Sequence, residues 1–333
     1  MAHLLEVRGL QIALKKGDKI INAVDNINFS IDEGEIVGLA GETGCGKTLT
    51  SLSIMGLMPQ KAKILSGKII FDNRQLTLLS EKDYCGIRGN EISMIFQEVR
   101  QSLNPLLKVG RQIREALELN NIAVSGGPVN LTDRKNYKRR TVEMLFRLGF
   151  EEPKKIYNAY PHQLSGGMCQ LIMAAIAAIT NPRLLLADEP SSSLDAQTQE
   201  RILSMLVEMN REHKTAVLII SHDLSIIRSF CSRFLVMYAG KIVEEGRSTA
   251  LYSPLHPYTQ ALIGAIPGKD KRGSDLANIP GKVPSVEDNF TGCPFAPRCK
   301  KAQDICNKSF PPAVETDSGK VYCYFPDTGS NNG

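Results

Sequence analysis

The chain has 333 residues, of which 42% are hydrophobic and 23% are charged, and its net charge is +5 at neutral pH. These proportions are ordinary for a globular protein, and the mild charge argues against an extended nucleic-acid surface. No apolar run approaches the roughly 18 to 20 residues that a membrane-spanning helix needs.

Short apolar segments bounded by polar turns predict strands in the first third of the chain. The polar residues 15–19 are predicted to form a hairpin loop, and the helical spacing of apolar residues at 49–58 predicts a helix. The predicted strands are residues 4–10, 23–31, 35–40, 68–71 and 92–96.

A glycine-rich loop with the pattern G-x-x-x-x-G-K-[ST] lies between the strand at 35–40 and the helix at 49–58. A strand that continues through such a loop into a helix turns backbone N–H groups inward, and the helix dipole favours an anion there. Lys47 is expected to reach the β- and γ-phosphates of a nucleotide, and Thr48 is expected to ligate Mg²⁺. The alternative is a turn that binds nothing. The loop consists of Gly41, Glu42, Thr43, Gly44, Cys45, Gly46, Lys47 and Thr48.

The pattern changes to helices between residue 98 and about residue 160. Residues 109–119 and 137–148 are amphipathic, and residues 120–131 are predicted to form a loop because they contain Gly126-Gly127-Pro128. We interpret this stretch as a helical insertion in an α/β core, with a helical subdomain at about 98–165.

The second half of the chain returns to buried strands that alternate with helices, which predicts an α/β fold. Helices are predicted from 164–168 (LSGGM) to about 179 and at 197–213, and strands at 184–187, 216–220, 234–238 and 241–245.

Two acidic residues end the predicted strand at 184–187. Asp188 is placed to hold Mg²⁺ directly or through water, and Glu189 is placed to orient or deprotonate an attacking water. The alternative is an ordinary pair of carboxylates at a strand end.

The order of these motifs resembles the ATP-binding subunit of ABC transporters over about residues 4–247. The matching pieces are GETGCGKT, the Gln97 of IFQ, LSGGM, LLLADEP, SSSLD and the His222 of SHD. The resemblance implies an ABC-type P-loop NTPase domain at 1–248 that hydrolyses ATP with Mg²⁺. It also implies a head-to-tail pair of identical or related ATPase subunits, two membrane permease subunits and an extracytoplasmic solute-binding protein.

The resemblance assigns further roles to individual residues. Gln97 contacts Mg²⁺ or water, His222 contacts the γ-phosphate, and Asp195 belongs to the loop that communicates across the dimer. A second anion site lies at a helix N-terminus, where the partner's ATP binds. This site consists of Ser165, Gly166 and Gly167.

The chain departs from the family pattern at three places, of which the serine loop at 191–193, before Asp195, is interpreted as a tolerable variant. Many family members have an aromatic residue near position 14 that stacks on adenine, but this chain has Ala13 and Leu14. The family often continues LSGGM with Arg-Gln-Arg, where this chain has Cys169-Gln170-Leu171.

The C-terminal region, residues 249–333, narrows the resemblance. The motif HPYT at 256–259 and the run GCPFAPRC resemble the peptide/nickel class of importer ATPases. Members power the uptake of di- or oligopeptides, and some relatives move nickel or other metal complexes.

The start of the chain does not resemble a signal peptide, so we expect a peripheral protein on the cytoplasmic face of the cell membrane.

Residues 250–333 contain ten of the 17 prolines and four of the eight cysteines, so we expect little regular structure there and a disordered tail at 327–333. In a reducing compartment these cysteines are expected to be free or bound to metal. A [4Fe–4S] cluster, found in some relatives, is the favoured ligand, and zinc or unligated thiols are the alternatives. The four are Cys293, Cys299, Cys306 and Cys323.

Two other functions compete with the importer subunit. A soluble ABC-type ATPase acting on DNA or ribosomes usually carries two cassettes or a long coiled coil, and this chain has one P-loop and no heptad run. A regulator that binds nucleotide without hydrolysis is disfavoured because Lys47, Asp188, Glu189 and His222 are all present.

Overall fold

The computed structural model describes residues 3–97, 102–125, 129–191, 194–265, 279, 281 and 290–327, with the backbone alone at 124 and 125. The chain divides into two compact units. The first comprises Met1–Ile31, Ile36–Thr77 and Ile220–Gly333, and the second comprises Asp32–Glu35 and Leu78–Ile219.

The first unit contains most of the strands. Its strands are β1 (Leu5–Lys16), β2 (Lys19–Ile31), β3 (Ile36–Ala40), β4 (Ala62–Phe71), β5 (Arg74–Gln75), β9 (Arg233–Tyr238), β10 (Lys241–Arg247), β11 (Ala313–Thr316) and β12 (Gly319–Tyr322). Its helices are α1 (Lys47–Ile54), α8 (Leu224–Phe230), α9 (Pro257–Gly264) and α10 (Asp304–Lys308).

The second unit contains most of the helices. They are α2 (Glu81–Ile87), α3 (Val109–Ser125), α4 (Leu131–Arg147), α5 (Pro153–Asn158), α6 (Gly166–Ala178) and α7 (Ala196–His213). Its strands are β6 (Ile92–Ile95), β7 (Leu184–Asp188) and β8 (Ala216–Ser221), the last of which ends in the first unit.

Strands β1, β2, β4 and β5 form an antiparallel sheet in the order β2-β1-β4-β5. The predicted strands at 4–10 and 23–31 are confirmed, but both extend further toward the hairpin. Buried Ile12, Ala13 and Ile21 continue the apolar pattern, so the loop between the strands shortens to Gly17 and Asp18.

The remaining strands of the first unit pair in the order β11-β12-β10-β9-β3. Strands β3 and β9 are parallel, with Ala40 opposite Val236, so the glycine-rich loop leaves β3 beside the end of β9. Strand β12 pairs with β10, and Val321 lies opposite Glu244. The expectation of little regular structure is therefore wrong for 257–264, which form α9, and for 313–322, which contain β11 and β12. Strand β12 pairs with β10, which would otherwise be an edge strand with an exposed backbone. Residues 328–333 of the predicted tail lie outside the described residues.

In the second unit, all five residues of β7 are buried and β6 runs parallel to it. The loop predicted at 120–131 is wrong at both ends, because α3 continues to Ser125 and α4 begins at Leu131. The Asn130 side chain accepts a hydrogen bond from the Asp133 N–H, and the Asp133 carboxylate accepts one from the Asn130 N–H. This capping box starts α4. Residues 126–128, predicted to lie in that loop, are outside the described part of the chain.

Within the residues that the structure describes, no helix is both long enough and apolar enough to cross a membrane.

Candidate functional site

The glycine-rich loop connects β3 to α1, as the sequence predicts. Gly46 is the N-cap of α1 and has a left-handed backbone with φ of 108°. A Cβ at this position would lie 2.8 Å from the carbonyl oxygen of Ala23, so glycine is required there. No side chain caps α1 by a hydrogen bond. The first-turn N–H groups of a helix lack intrahelical partners, so this end of α1 suits an anion.

The Lys47 side chain extends back toward the start of this loop. Its side chain is buried, and Nζ donates hydrogen bonds to the carbonyl oxygens of Gly41 at 2.8 Å and Glu42 at 3.0 Å. Cys45 is also buried, and burial raises the pKa of its thiol. Gly240, in the turn after β9, donates its N–H to the Cys45 carbonyl at 3.0 Å and so connects this turn to the loop.

Three predicted polar residues lie at or just after the ends of β6 and β7 in the second unit. Because the strands are parallel and Ile95 lies opposite Ala187, Gln97 and Asp188 emerge at the same edge. Asp188 is buried, whereas Gln97 is exposed. Glu189 has a left-handed backbone with φ of 49°. Such a conformation costs a non-glycine residue about 1–3 kcal/mol, and residues of this kind cluster at functional sites.

The LSGGM segment begins α6 at the position that the sequence predicts. Ser165 is the N-cap, and its hydroxyl accepts a hydrogen bond from the Met168 N–H at 3.3 Å. A Cβ at Gly167 would lie 3.4 Å from the Thr198 methyl group, so the start of α6 is close to the start of α7. A Cβ at Gly166 would have no atom of another part of the described chain within 4 Å.

Asp195 caps α7 beside this segment. Its carboxylate accepts hydrogen bonds from the Thr198 N–H at 2.9 Å and the Thr198 hydroxyl at 2.8 Å. The backbone N–H and then the hydroxyl of Thr198 lower the pKa of Asp195. The second unit therefore brings the N-termini of α6 and α7, with Ser165 and Asp195, into one place.

The residues that replace Arg-Gln-Arg pack inside the second unit. Cys169, Gln170 and Leu171 are all buried. The Cys169 thiol donates to the Pro161 carbonyl at 3.5 Å, and the Gln170 amide donates to the Pro190 carbonyl at 3.0 Å. Gln170 thus ties α6 to the segment that follows Glu189.

His222 is exposed at the end of β8 in the first unit. The next residue, Asp223, caps α8 by accepting a hydrogen bond from the Ser225 N–H. The predicted site residues are thus divided: the glycine-rich loop and His222 are in the first unit, and the others of the ATP site are in the second.

The four clustered cysteines line one cavity in the first unit, with a volume of about 20 Å³. The Sγ atoms of Cys299 and Cys323 each accept a hydrogen bond at 3.4 Å, from the N–H groups of Lys301 and Phe325. Burial raises the pKa of Cys293 to about 11. Across the described ranges, no group of three or more His, Cys, Asp or Glu residues is arranged to hold a metal ion.

Two known family descriptions match parts of this chain. The family description "ABC transporter" matches residues 24–192, and "Oligopeptide/dipeptide transporter, C-terminal region" matches residues 243–306. The first match covers half of the chain. The chain belongs to the ABC transporter family.

Similar proteins align with this ABC ATPase along almost its whole length. It is 42% identical to the oligopeptide transport ATP-binding protein AppD of Bacillus subtilis (strain 168), over 97% of each chain. It is 39% identical to the dipeptide transport ATP-binding protein DppD of the same organism, over 98% of this chain and 96% of the other. A dimeric ATP-binding cassette in a post-hydrolysis state, bound to ADP and Pi, superposes with a TM-score of 0.65 and 30% identity, covering 73% of this chain and 98% of that one.

The ABC ATPase also contains contacts to its glycine-rich loop that the sequence did not predict. Arg298 donates two hydrogen bonds to the Glu42 carboxylate, and the Tyr258 hydroxyl accepts one from the Glu42 N–H. Arg298 lies within the run GCPFAPRC and Tyr258 within HPYT, which the sequence marked only as class signatures. The separation of 256 residues between Arg298 and Glu42 leaves no local pattern that could pair them.

Proposed function

We propose that this ABC ATPase is the ATP-hydrolysing subunit of an importer for dipeptides or oligopeptides, and that it acts with separate membrane subunits. The observation that carries the proposal is the match of residues 243–306 to the C-terminal region of oligopeptide/dipeptide transporters. The relatives named as oligopeptide or dipeptide transport ATP-binding proteins support it, because they align over both the ATPase part and this region. The proposed domains are 1–248 for the ATPase and 249–333 for the C-terminal region.

In this proposal the glycine-rich loop binds the phosphates of ATP. The uncapped start of α1 supplies N–H groups, and Lys47 exchanges its bonds to the Gly41 and Glu42 carbonyls for bonds to phosphate oxygens. Thr48, exposed at the first turn of α1, is the proposed Mg²⁺ ligand of the loop. Mg²⁺ neutralises charge on the phosphates during transfer.

Hydrolysis requires a base and a second acidic residue at the metal. Glu189 is the proposed general base, and its strained backbone directly after β7 supports a functional role. Asp188 and Gln97, at one edge of β6 and β7, are the proposed partners of Mg²⁺ and its water. His222 is the proposed contact to the γ-phosphate.

We propose that a second ATPase subunit completes the site. None of the residues that the structure describes approaches the side-chain position of Gly166, so the contacts of the described fold do not explain the glycine. A ligand carried by another subunit would explain it, because phosphate needs close access to the backbone N–H groups at the start of α6. Asp195 is adjacent to this segment and is the proposed dimer-contact residue. The related cassette bound to ADP and Pi is dimeric.

The assembly is proposed to work at the cytoplasmic face of the membrane, with two permease subunits and an extracytoplasmic solute-binding protein. The test is transport by the complete complex, captured with an affinity tag on this chain and reconstituted into vesicles. Uptake of labelled dipeptide or oligopeptide should require ATP and should be lost in Lys47→Ala. Glu208→Gln, an exposed carboxylate change on α7, is the matched control and should transport normally. Uptake of nickel without uptake of any peptide would contradict the proposed solute.

We also propose that Cys293, Cys299, Cys306 and Cys323 hold one [4Fe–4S] cluster. The four thiols line one cavity, and four soft sulfur ligands suit such a cluster or zinc. Backbone N–H donors to Sγ, present at Cys299 and Cys323, are among the interactions that tune cluster sulfurs.

His256 adds a polar group to the same cavity. Its Nδ1 accepts a hydrogen bond from the Tyr258 N–H, so Nε2 carries the proton. That Nε2 atom is buried and, among the described residues, has no hydrogen-bond partner. A sulfur acceptor in the cavity would satisfy it. The cavity has room for about one water molecule, so the cysteine loops must separate to admit a cluster. The cluster would then join these loops as a structural staple.

Purification without oxygen tests this assignment. The protein should be brown and contain about four irons per chain, as ligation of a cubane by four cysteines implies. Cys299→Ser should reduce the iron content, whereas Cys85→Ser, which changes an exposed cysteine of α2, should not. Protein that contains zinc, or no metal, would contradict the cluster.

A further inference from the structure

The second residue of the glycine-rich loop, Glu42, is held from the C-terminal region of the same unit. Arg298 Nη1 and Nη2 donate to the two carboxylate oxygens of Glu42 at 2.8 and 3.2 Å. This is the two-pronged geometry of the strongest side-chain ion pairs. The Arg298 side chain is 5% exposed and the Glu42 side chain 18% exposed, so water screens the pair much less than it screens a surface pair.

A second contact fixes the backbone of the same residue. The Glu42 N–H donates to the Tyr258 hydroxyl at 2.9 Å. Tyr258 is fully buried, and burial raises the pKa of its hydroxyl, which therefore stays protonated. Its ring centroid lies 4.4 Å from that of Tyr238 and 5.3 Å from that of Phe295. These packed rings leave the hydroxyl little freedom to move.

Arg298 is anchored independently of Glu42. Nη1 also donates to the Tyr238 hydroxyl at 3.1 Å, and the guanidinium carbon lies 5.9 Å from the centre of the Tyr238 ring. Burial alone would lower the pKa of Arg298, but hydrogen bonds to Glu42 and Tyr238 outweigh it and raise the pKa. The guanidinium therefore keeps its charge, and Tyr238 gives it a contact that does not involve Glu42.

The charge of Arg298 matters for nucleotide binding because of where the Glu42 carboxylate lies. It belongs to the loop that binds phosphates, so an unpaired carboxylate there would repel a nucleotide. The loop also depends on Glu42 at a third point, because Lys47 donates to its carbonyl oxygen at 3.0 Å. The carboxylate, the N–H and the carbonyl of this residue are thus all engaged.

We infer that Arg298 and Tyr258 are positioning residues for nucleotide binding: they hold Glu42 so that the phosphate-binding loop is formed before ATP arrives, and Arg298 cancels the charge of Glu42. The inference rests on the proposed role of the loop in binding ATP. It gives the C-terminal region a function in the ATPase cycle. Neither residue needs to touch the nucleotide.

Equilibrium binding of MgATP to the full chain tests the inference. Arg298→Ala should raise the Kd about tenfold, within the range for loss of a hydrogen bond to a charged group. Tyr258→Phe keeps the ring packing and removes one acceptor, so it should raise the Kd about threefold. Lys301→Ala, which removes the neighbouring ion pair to Asp327, is the matched control and should bind as wild type does.

The double variant Arg298→Ala/Glu42→Gln distinguishes two reasons why Arg298→Ala could bind MgATP weakly. One is the uncompensated charge of Glu42, and the other is a general loosening of the C-terminal region. Removing the uncompensated charge of the carboxylate should recover most of the MgATP affinity that Arg298→Ala loses. The melting temperature without nucleotide should remain below that of the wild type. Wild-type affinity in Arg298→Ala, or an equal loss in Lys301→Ala, would overturn the inference. A wild-type chain that binds MgATP no better than Lys47→Ala would instead contradict the proposed role of the loop.

Discussion

At the scale of single residues, we expect the base to be the most loosely held part of the bound nucleotide. Ala13 is buried and Leu14 is half-buried on β1, and neither offers a ring for adenine. Stacking of a base on an aromatic side chain is worth about 1–3 kcal/mol in single-stranded nucleic-acid complexes. We therefore expect the phosphate contacts to carry most of the affinity for ATP.

GTP should accordingly compete with ATP well. In a competition assay on the full chain, Leu14→Tyr should tighten ATP by about tenfold, a modest share of the stacking range. Leu78→Tyr, at a position that is 77% exposed, is the control and should change nothing. If wild type prefers ATP over GTP by more than about a hundredfold, or about 2.7 kcal/mol, another side chain recognises the base.

At this scale the sequence predicted the residues that belong to contiguous motifs. Lys47 and Glu189 were placed correctly relative to β3 and β7 because each belongs to a motif that begins where an apolar strand ends: Glu189 follows β7 directly, and Lys47 begins α1 after the glycine-rich loop. Arg298 and Tyr258 could not be predicted, because their contacts to Glu42 depend on how distant segments pack. The left-handed backbone of Glu189 also follows from packing and has no local signature.

At the scale of elements, buried strands were the most predictable part of the chain. Strands β3, β7 and β8 are continuous apolar runs, and their observed limits differ from the predicted ones by one residue. The limits of α3 and α4 were missed because the capping box at Asn130 lies in a polar stretch that resembles a loop. The pairing of β12 with β10 was missed because a strand of four residues carries little periodicity.

The capping box predicts a measurable stability change. Asn130→Ala should lower the free energy of unfolding by about 1 kcal/mol, because the Asp133 N–H loses its acceptor. Urea denaturation measures the change. Asn136→Ala, at an exposed position within α4, is the control and should not destabilise the protein, since alanine favours a helix interior. Equal stability of Asn130→Ala and wild type would show that the cap does not hold α4.

At the scale of the whole molecule, a buried histidine makes stability depend on pH. Burial lowers the pKa of His256 from 6.5 to about 3, so it is neutral in the folded chain. The backbone N–H of His256 donates at 3.0 Å to the Glu244 carboxylate, and burial raises the pKa of that carboxyl. The folded state thus resists protonation of His256, whereas the unfolded state accepts the proton near pH 6.5.

The histidine therefore contributes stability that is fully present above pH 6.5 and is lost as the pH falls toward 3. The slope from this group is about 1.4 kcal/mol per pH unit once the pH is well below 6.5. Glu244 acts in the opposite direction, because its raised pKa makes the folded state bind a proton more readily. His256→Asn keeps an N-cap acceptor for α9. It should reduce the change in unfolding free energy between pH 6.5 and pH 5. The exposed His213→Asn should leave the wild-type slope, and an unchanged slope in His256→Asn would contradict this account.

The account as a whole depends on the proposed roles of the glycine-rich loop in binding ATP and of Glu189 in hydrolysing it, and ATP turnover by the purified transporter complex tests these roles most directly. Glu189→Gln should retain MgATP binding but lower turnover about 10²–10⁴-fold, the usual contribution of a general base. Lys47→Ala should lose turnover through weaker binding, and the surface control Glu208→Gln should behave as wild type does. Wild-type turnover in the Glu189→Gln complex would contradict the account.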